Sequence, residues 1–86
     1  MMADEKQIKQ LLNTAKGQIE GILKMIDEGA YCIDISNQLL AASAILKKTN
    51  VEILDAHLHH CVLYSSENDK ARKLEEISEV LKKVMK

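Results

Sequence analysis

The chain contains no proline, phenylalanine or tryptophan, and only three glycines and two tyrosines among its 86 residues. Because proline and glycine interrupt helices, their scarcity favours long helices without breaks. The small number of aromatic side chains argues against an enzyme pocket, which usually carries several of them. Leucine, isoleucine, alanine, lysine and glutamate are frequent instead, a composition typical of an all-α protein assembled through aliphatic packing.

The sequence also lacks an N-terminal basic segment followed by an apolar one, and it has no run of about 18 apolar residues. We therefore expect a cytoplasmic protein that makes no membrane contact. The formal net charge of −1 gives no overall attraction to nucleic acid, so such a partner would have to meet a local basic patch. We expect one domain over residues 1–86, and a core of this size gains stability from oligomerisation.

Hydrophobic periodicity predicts three helices, over about residues 4–28, 31–64 and 69–85. Gly29 stands where a left-handed helix cap is expected, and the polar run at 64–69 reads as a linker. The second helix has apolar residues on more than one face. This pattern predicts that it is buried against both the first helix and a second subunit.

Two cysteines and a histidine form the most informative pattern of the chain. His57 and Cys61 are four residues apart, so a helix places both on one face. Together with Cys32 they supply two thiolates and one imidazole, a set of soft donors that suits Cu(I). A closed zinc site would need a fourth donor, for which His59 and His60 are candidates.

The position of Cys32 decides how such a site is assembled. One continuous helix separates it from His57 by 25 residues, or roughly 37 Å, which exceeds any coordination sphere. Cys32 would then come from another subunit. The alternative is a helical hairpin at residues 47–50, although that stretch has neither glycine nor proline. It also remains open that both cysteines are small buried hydrophobes and that the histidines form a solvated patch.

Four segments carry a likeness to a known family: GQIEGI at residues 17–22, MIDE at 25–28, YCIDI at 31–35 and LDAHLHHCV at 54–62. They resemble the CsoR family of small, all-helical, metal-sensing transcriptional repressors over nearly the whole chain. The resemblance implies a three-helix subunit, an antiparallel dimer and a tetramer built as a dimer of dimers. It also implies Cu(I) held by Cys32 of one chain and by His57 and Cys61 of its partner.

The ligand pattern resembles the copper-sensing branch of this family. In the nickel- and cobalt-sensing branches the metal ligands resemble a His-rich set. The persulfide-sensing branch lacks a histidine at the position of His57, and the formaldehyde-sensing branch lacks the second cysteine. The function implied is a repressor, not an enzyme, that binds operator DNA without metal and is released by Cu(I). The alternative is a copper-binding or persulfide-sensing relative with weak or no DNA binding.

The resemblance further implies two residues that act beside the metal ligands. Tyr31 and a carboxylate early in the third helix match positions that would orient the imidazole of His57. We expect this carboxylate to be Glu76, with Glu75 and Glu79 as alternatives.

Operator binding is where the chain departs from the family pattern, because family members resemble one another in several basic residues on the first helix. This chain has Leu11, Asn13, Thr14 and Glu20 in that region. Lys9, Lys16 and Lys24 remain on the first helix, and Lys47 and Lys48 on the second. Of these we expect Lys9, Lys16, Lys47 and Lys48 to contact phosphates. Weakened or altered DNA binding is therefore expected.

Overall fold

The structure is a computed structural model that describes residues 1–64 and 66–85. It contains three α-helices in the order α1 (Glu5–Asp27), α2 (Cys32–Tyr64) and α3 (Glu67–Val84). The predicted all-α, three-helix subunit with a long second helix is confirmed. In the described part of the chain, no helix combines the length and the hydropathy needed to cross a lipid bilayer.

The turn between α1 and α2 is built by local backbone chemistry. Asp4 caps the start of α1, since its carboxylate accepts a hydrogen bond from the backbone N–H of Lys6 at 3.0 Å. At the other end Gly29 adopts a φ of 71°, as predicted, and the N–H of Ala30 donates to the carbonyl of Met25 at 2.9 Å. The chain therefore reverses within a few residues, and α2 returns along α1.

The start of α3 is set by Ser66, whose hydroxyl accepts a hydrogen bond from the backbone N–H of Asp69 at 3.3 Å. This cap starts the helix at Glu67, two residues before the predicted start at about residue 69. Ser65, which belongs to the predicted linker, lies outside the described residues.

The α1–α2 contact follows a seven-residue period. Ile8, Ala15 and Ile22 are the buried residues of α1, and Ala42 and Thr49 continue the same period on α2. A seven-residue period is typical of two helices that pack nearly parallel or antiparallel. The buried Thr49 hydroxyl is satisfied, because it donates to the backbone carbonyl one turn earlier at 2.8 Å.

The three helices form a single layer. The α-carbons extend over 55 × 27 × 12 Å, and α2 packs against both α1 and α3, whereas the described residues of α1 and α3 do not pack against each other. Their radius of gyration is 16.9 Å, whereas a compact domain of this length has roughly 12 Å. A single layer cannot enclose a core between two faces, so many large apolar side chains stay exposed. On α1 and α2 these include Leu12, Ile19, Leu23, Ile26, Ile33, Leu39, Leu40 and Leu46.

Candidate metal centre

The continuous α2 separates the first thiol from the other two donors. Residues 47–50 are helical, so the hairpin alternative is wrong and the long-helix prediction is confirmed. Cys32 is the first residue of α2, whereas His57 lies in its last turns. At about 1.5 Å per residue, roughly 37 Å of helix separates the two residues. A single chain therefore cannot bring all three donors to one metal ion.

The surroundings of the two cysteines differ. Cys32 is exposed, and the preceding Tyr31 is 68% exposed. Cys61 has no exposed surface at all within the single chain. Both are free thiols. Cys32 is thus open to a second molecule, while Cys61 needs a shift of the side chains around it before it can bind a metal.

His57 lies in an open groove between α2 and α3. The groove has a volume of about 260 Å³ and is lined by Ile53, Leu54, His57, Glu76, Ile77 and Val80. Of the three carboxylates considered from sequence, Glu76 is the one that lines this groove with His57. Tyr31 lies at the opposite end of α2, so a single chain does not place it near His57.

The other two histidines are engaged differently. The Nδ1 atom of His59 lies 2.8 Å from the carbonyl oxygen of Asp55, a distance at which a protonated Nδ1 donates a hydrogen bond. Its side chain is 71% exposed. The Nδ1 atom of His60 is buried without a hydrogen-bond partner in the described structure, and its ring centroid lies 5.0 Å from that of Tyr64.

The contact between the rings of His60 and Tyr64 was not predicted from the sequence. The signal was present, because residues four apart on a helix are neighbours and both rings are planar. Within residues 1–64 and 66–85, no three His, Cys, Asp or Glu side chains are gathered so that they could hold a metal ion.

The lysines predicted to contact DNA all lie on the surface. Lys9 and Lys16 are exposed on α1, and Lys47 and Lys48 are exposed in the middle of α2. None of the four forms an ion pair within the described part of the chain. Their charges are therefore available to an external anion.

Residues 4–83 match the sequence profile of a family described as "Metal-sensitive transcriptional repressor". The chain belongs to this family. The predicted membership of the CsoR family is confirmed, and the family consists of transcriptional repressors rather than enzymes.

Curated relatives of this family member are named as copper sensors. It is 33% identical over 84 residues to the copper-sensing transcriptional repressor CsoR of Bacillus subtilis, with 96% of this chain and 83% of the relative covered. It is 43% identical over 51 residues to the copper-sensing transcriptional repressor RicR of Mycobacterium tuberculosis, with 59% of this chain and 53% of the relative covered. The chain thus spans about half the length of this mycobacterial relative.

A solved structure with the same fold is that of the nickel-responsive transcriptional regulator InrS. It aligns with a TM-score of 0.80 over 98% of this chain and 96% of that chain, at 24% identity. At this identity the similarity establishes the fold, and it carries no information on which metal this family member binds.

Proposed function

We propose that this protein is a cytoplasmic, copper(I)-responsive transcriptional repressor that binds operator DNA without metal and is released when Cu(I) binds. The metal would be held between subunits by Cys32 of one chain and by His57 and Cys61 of its partner. The copper-sensing function named for the Bacillus and Mycobacterium relatives supports the proposal. So does the donor set, because two thiolates and one imidazole suit a soft ion of low coordination number.

The observation that carries the proposal is the uninterrupted α2. Since Cys32 and Cys61 lie near its two ends, an antiparallel pairing of two α2 helices would bring Cys32 of each chain beside the His57–Cys61 pair of the other. The single-layer shape and its exposed apolar side chains supply a surface for such a pairing. Two dimers would then assemble into the tetramer that the family resemblance implies.

The three donors fit such an ion in their chemistry, but they differ in access. Cys32 is exposed and His57 is half-buried beside an open groove, whereas Cys61 must first be uncovered. Bound Cu(I) would link two subunits through its thiolate and imidazole ligands. Uncovering Cys61 would be a conformational change that accompanies metal uptake.

The groove offers a route from the metal site to the rest of the fold. One imidazole nitrogen of His57 would bind the metal, which leaves the N–H of the other nitrogen to donate to a carboxylate such as Glu76. Because Glu76 belongs to α3, this hydrogen bond would draw α3 toward α2. Tyr31 of the partner chain would lie near the same imidazole. By linkage, the factor by which Cu(I) changes the affinity for DNA must equal the factor by which DNA changes the affinity for Cu(I).

Subunit mixing tests whether the donors are divided between chains. Cys32→Ser retains His57 and Cys61, whereas the double variant His57→Ala/Cys61→Ser retains Cys32. Each protein alone should lack a complete site. Unfolded together and refolded, they should form mixed dimers with one complete site, and anaerobic titration against a Cu(I) chelator should detect this recovery. If dimers that are shown to be mixed do not recover Cu(I) binding, the proposal is wrong.

A second candidate function is sensing of a persulfide through the two thiols. It is favoured by the exposure of Cys32, because a sulfur sensor needs one accessible thiol. The two functions differ in their dependence on His57, which a thiol reaction does not need. DNA binding by the wild-type protein is therefore measured with Cu(I) and with an inorganic polysulfide. The compound that releases the DNA identifies the ligand.

A further inference from the structure

The acidic residues of this chain are segregated from most of its lysines. Three stretches contain no Asp or Glu: residues 6–19 of α1, 35–51 of α2, and 80–85 at the end of α3. They hold Lys6, Lys9, Lys16, Lys47, Lys48, Lys82 and Lys83, which we call the lysine band. The net charge of −1 therefore hides a local excess of positive charge.

The fold brings these three stretches together around Val51. Val51 lines a cavity of about 330 Å³ together with Gln7 and Ile8 of α1, and the carboxylates of Asp4, Glu52 and Asp55 line the same cavity. It also lines a cavity of about 110 Å³ together with Ile77 and Leu81 of α3. The first turns of α1 and the last turns of α3 thus both pack against the middle of α2.

The lysine band surrounds this junction. Lys47 and Lys48 lie about one helical turn before Val51, and Lys82 and Lys83 directly follow Leu81. Every lysine of the band is exposed. With neighbouring helix axes about 8–10 Å apart, the band spans a distance comparable to several consecutive DNA phosphates.

Few ion pairs among the described residues engage these charges, although Asp4, Glu52 and Asp55 lie at the junction. Among the described residues, Lys82 is the one lysine of the band that forms an ion pair, with Glu79 at 3.4 Å. That pair is largely exposed, at 72% and 64% for the two side chains. Because water screens such a pair, Lys82 can exchange Glu79 for a phosphate at little cost.

We propose that Lys82 and Lys83, at the end of α3, contact the phosphates of bound DNA together with the lysines of α1 and α2. The inference rests on the proposed DNA-binding function and adds α3 to the DNA-binding surface. These lysines add positive charge to a surface whose first helix carries the uncharged residues Leu11, Asn13 and Thr14 between Lys9 and Lys16. Phosphate contacts depend on where the positive charges lie, and not on which helix carries them.

The position of Lys83 on α3 also connects the proposed DNA contacts with the proposed metal site. Lys83 follows Glu76 by seven residues, so both lie on one face of α3 about two turns apart. Glu76 lines the groove with His57. A displacement of α3 that begins at this groove therefore moves two lysines of the band relative to those of α2.

The test measures how salt affects the binding of wild-type, metal-free protein to a fluorescein-labelled duplex from upstream of its own gene. The test variant is Lys82→Gln/Lys83→Gln. Lys70→Gln/Arg72→Gln at the other end of α3 is the matched control, because it removes the same charge and also breaks one exposed i,i+3 ion pair, at 3.4 Å. Circular dichroism and sedimentation check that both variants fold and assemble like the wild type.

The plot of log affinity against log salt should become shallower in the test variant by about 2 for each subunit that contacts DNA. The control should keep the wild-type slope, and Lys82→Arg/Lys83→Arg should restore it. Equal slopes in test variant and wild type would overturn the inference and leave the proposed function intact. A wild type that binds no duplex would refute the proposed function itself. Binding to phosphatidylserine vesicles without binding to DNA would assign the band to a lipid surface and also overturn the inference.

Discussion

His57 and Glu76 line the same groove, although one belongs to α2 and the other to α3. The groove is otherwise lined by aliphatic side chains, so these two residues are its hydrogen-bonding side chains. In the proposed metal site this pair would transmit metal binding to α3, because a metal-bound imidazole can donate its other N–H to a carboxylate.

Replacing His57 by Ala separates metal binding from the response to metal. The two thiolates can still retain some Cu(I), but the imidazole that faces Glu76 is gone. We expect Cu(I) to lose its effect on DNA affinity in this variant, measured by anaerobic anisotropy before and after one equivalent per subunit. A variant that is still released from DNA by Cu(I) would show that His57 is not part of the site.

Replacing Glu76 by Gln tests the groove itself, with Glu75→Gln as the matched control on the same helix. Glu75 does not line the groove, so its replacement should leave both metal binding and DNA release unchanged. Glu76→Gln should reduce the effect of Cu(I) on DNA affinity by about tenfold, while Cu(I) affinity changes less. Identical behaviour of the two variants would exclude a special role for Glu76.

The different burial of the two thiols predicts different reactivity in the metal-free protein. Cys61→Ser, which retains the exposed Cys32, should react rapidly with an aromatic disulfide reagent. Cys32→Ser, which retains the buried Cys61, should react slowly, because the thiolate must be reached from solvent. Unfolding in guanidinium should make the two rates equal. Equal rates in the native proteins would contradict the burial of Cys61.

The exposed apolar face predicts that association depends on Ile19, which is 45% exposed in the single chain. Ile19→Asp should shift the protein to a smaller species in sedimentation at the same concentration, since a buried charge at an interface is costly. It should also lower the thermal midpoint if folding and association are linked. Asn13→Asp adds the same charge elsewhere on α1 and should change neither. Unchanged sedimentation of Ile19→Asp would place the interface elsewhere.

The separation of Cys32 from His57 along α2 was predictable because helix geometry is fixed. The absence of proline and glycine between Cys32 and His57 was enough to predict a continuous helix and hence the distance between them. The cap at Gly29 followed from the same local rules. These features depend on residues that are close in sequence.

The burial of Cys61 and the position of Glu76 depend instead on how α3 packs against α2. That packing follows from the connection near Ser66, where a side-chain cap starts the helix two residues before the predicted start. A shift of this size changes which carboxylate faces His57, because each residue turns a helix by about 100°. The family resemblance therefore left three candidate carboxylates, because it did not fix the length of the linker, and the structure places one of them in the groove with His57.

The length of α2 also determines how two metal ions in one dimer could influence each other. In the proposed antiparallel pairing the two sites lie at opposite ends of the paired helices, roughly 37 Å apart. This separation exceeds several Debye lengths of about 8 Å at physiological ionic strength, so the charge of one ion is screened from the other. Any cooperativity in metal uptake must then be mechanical, transmitted by the stiffness of the helices themselves.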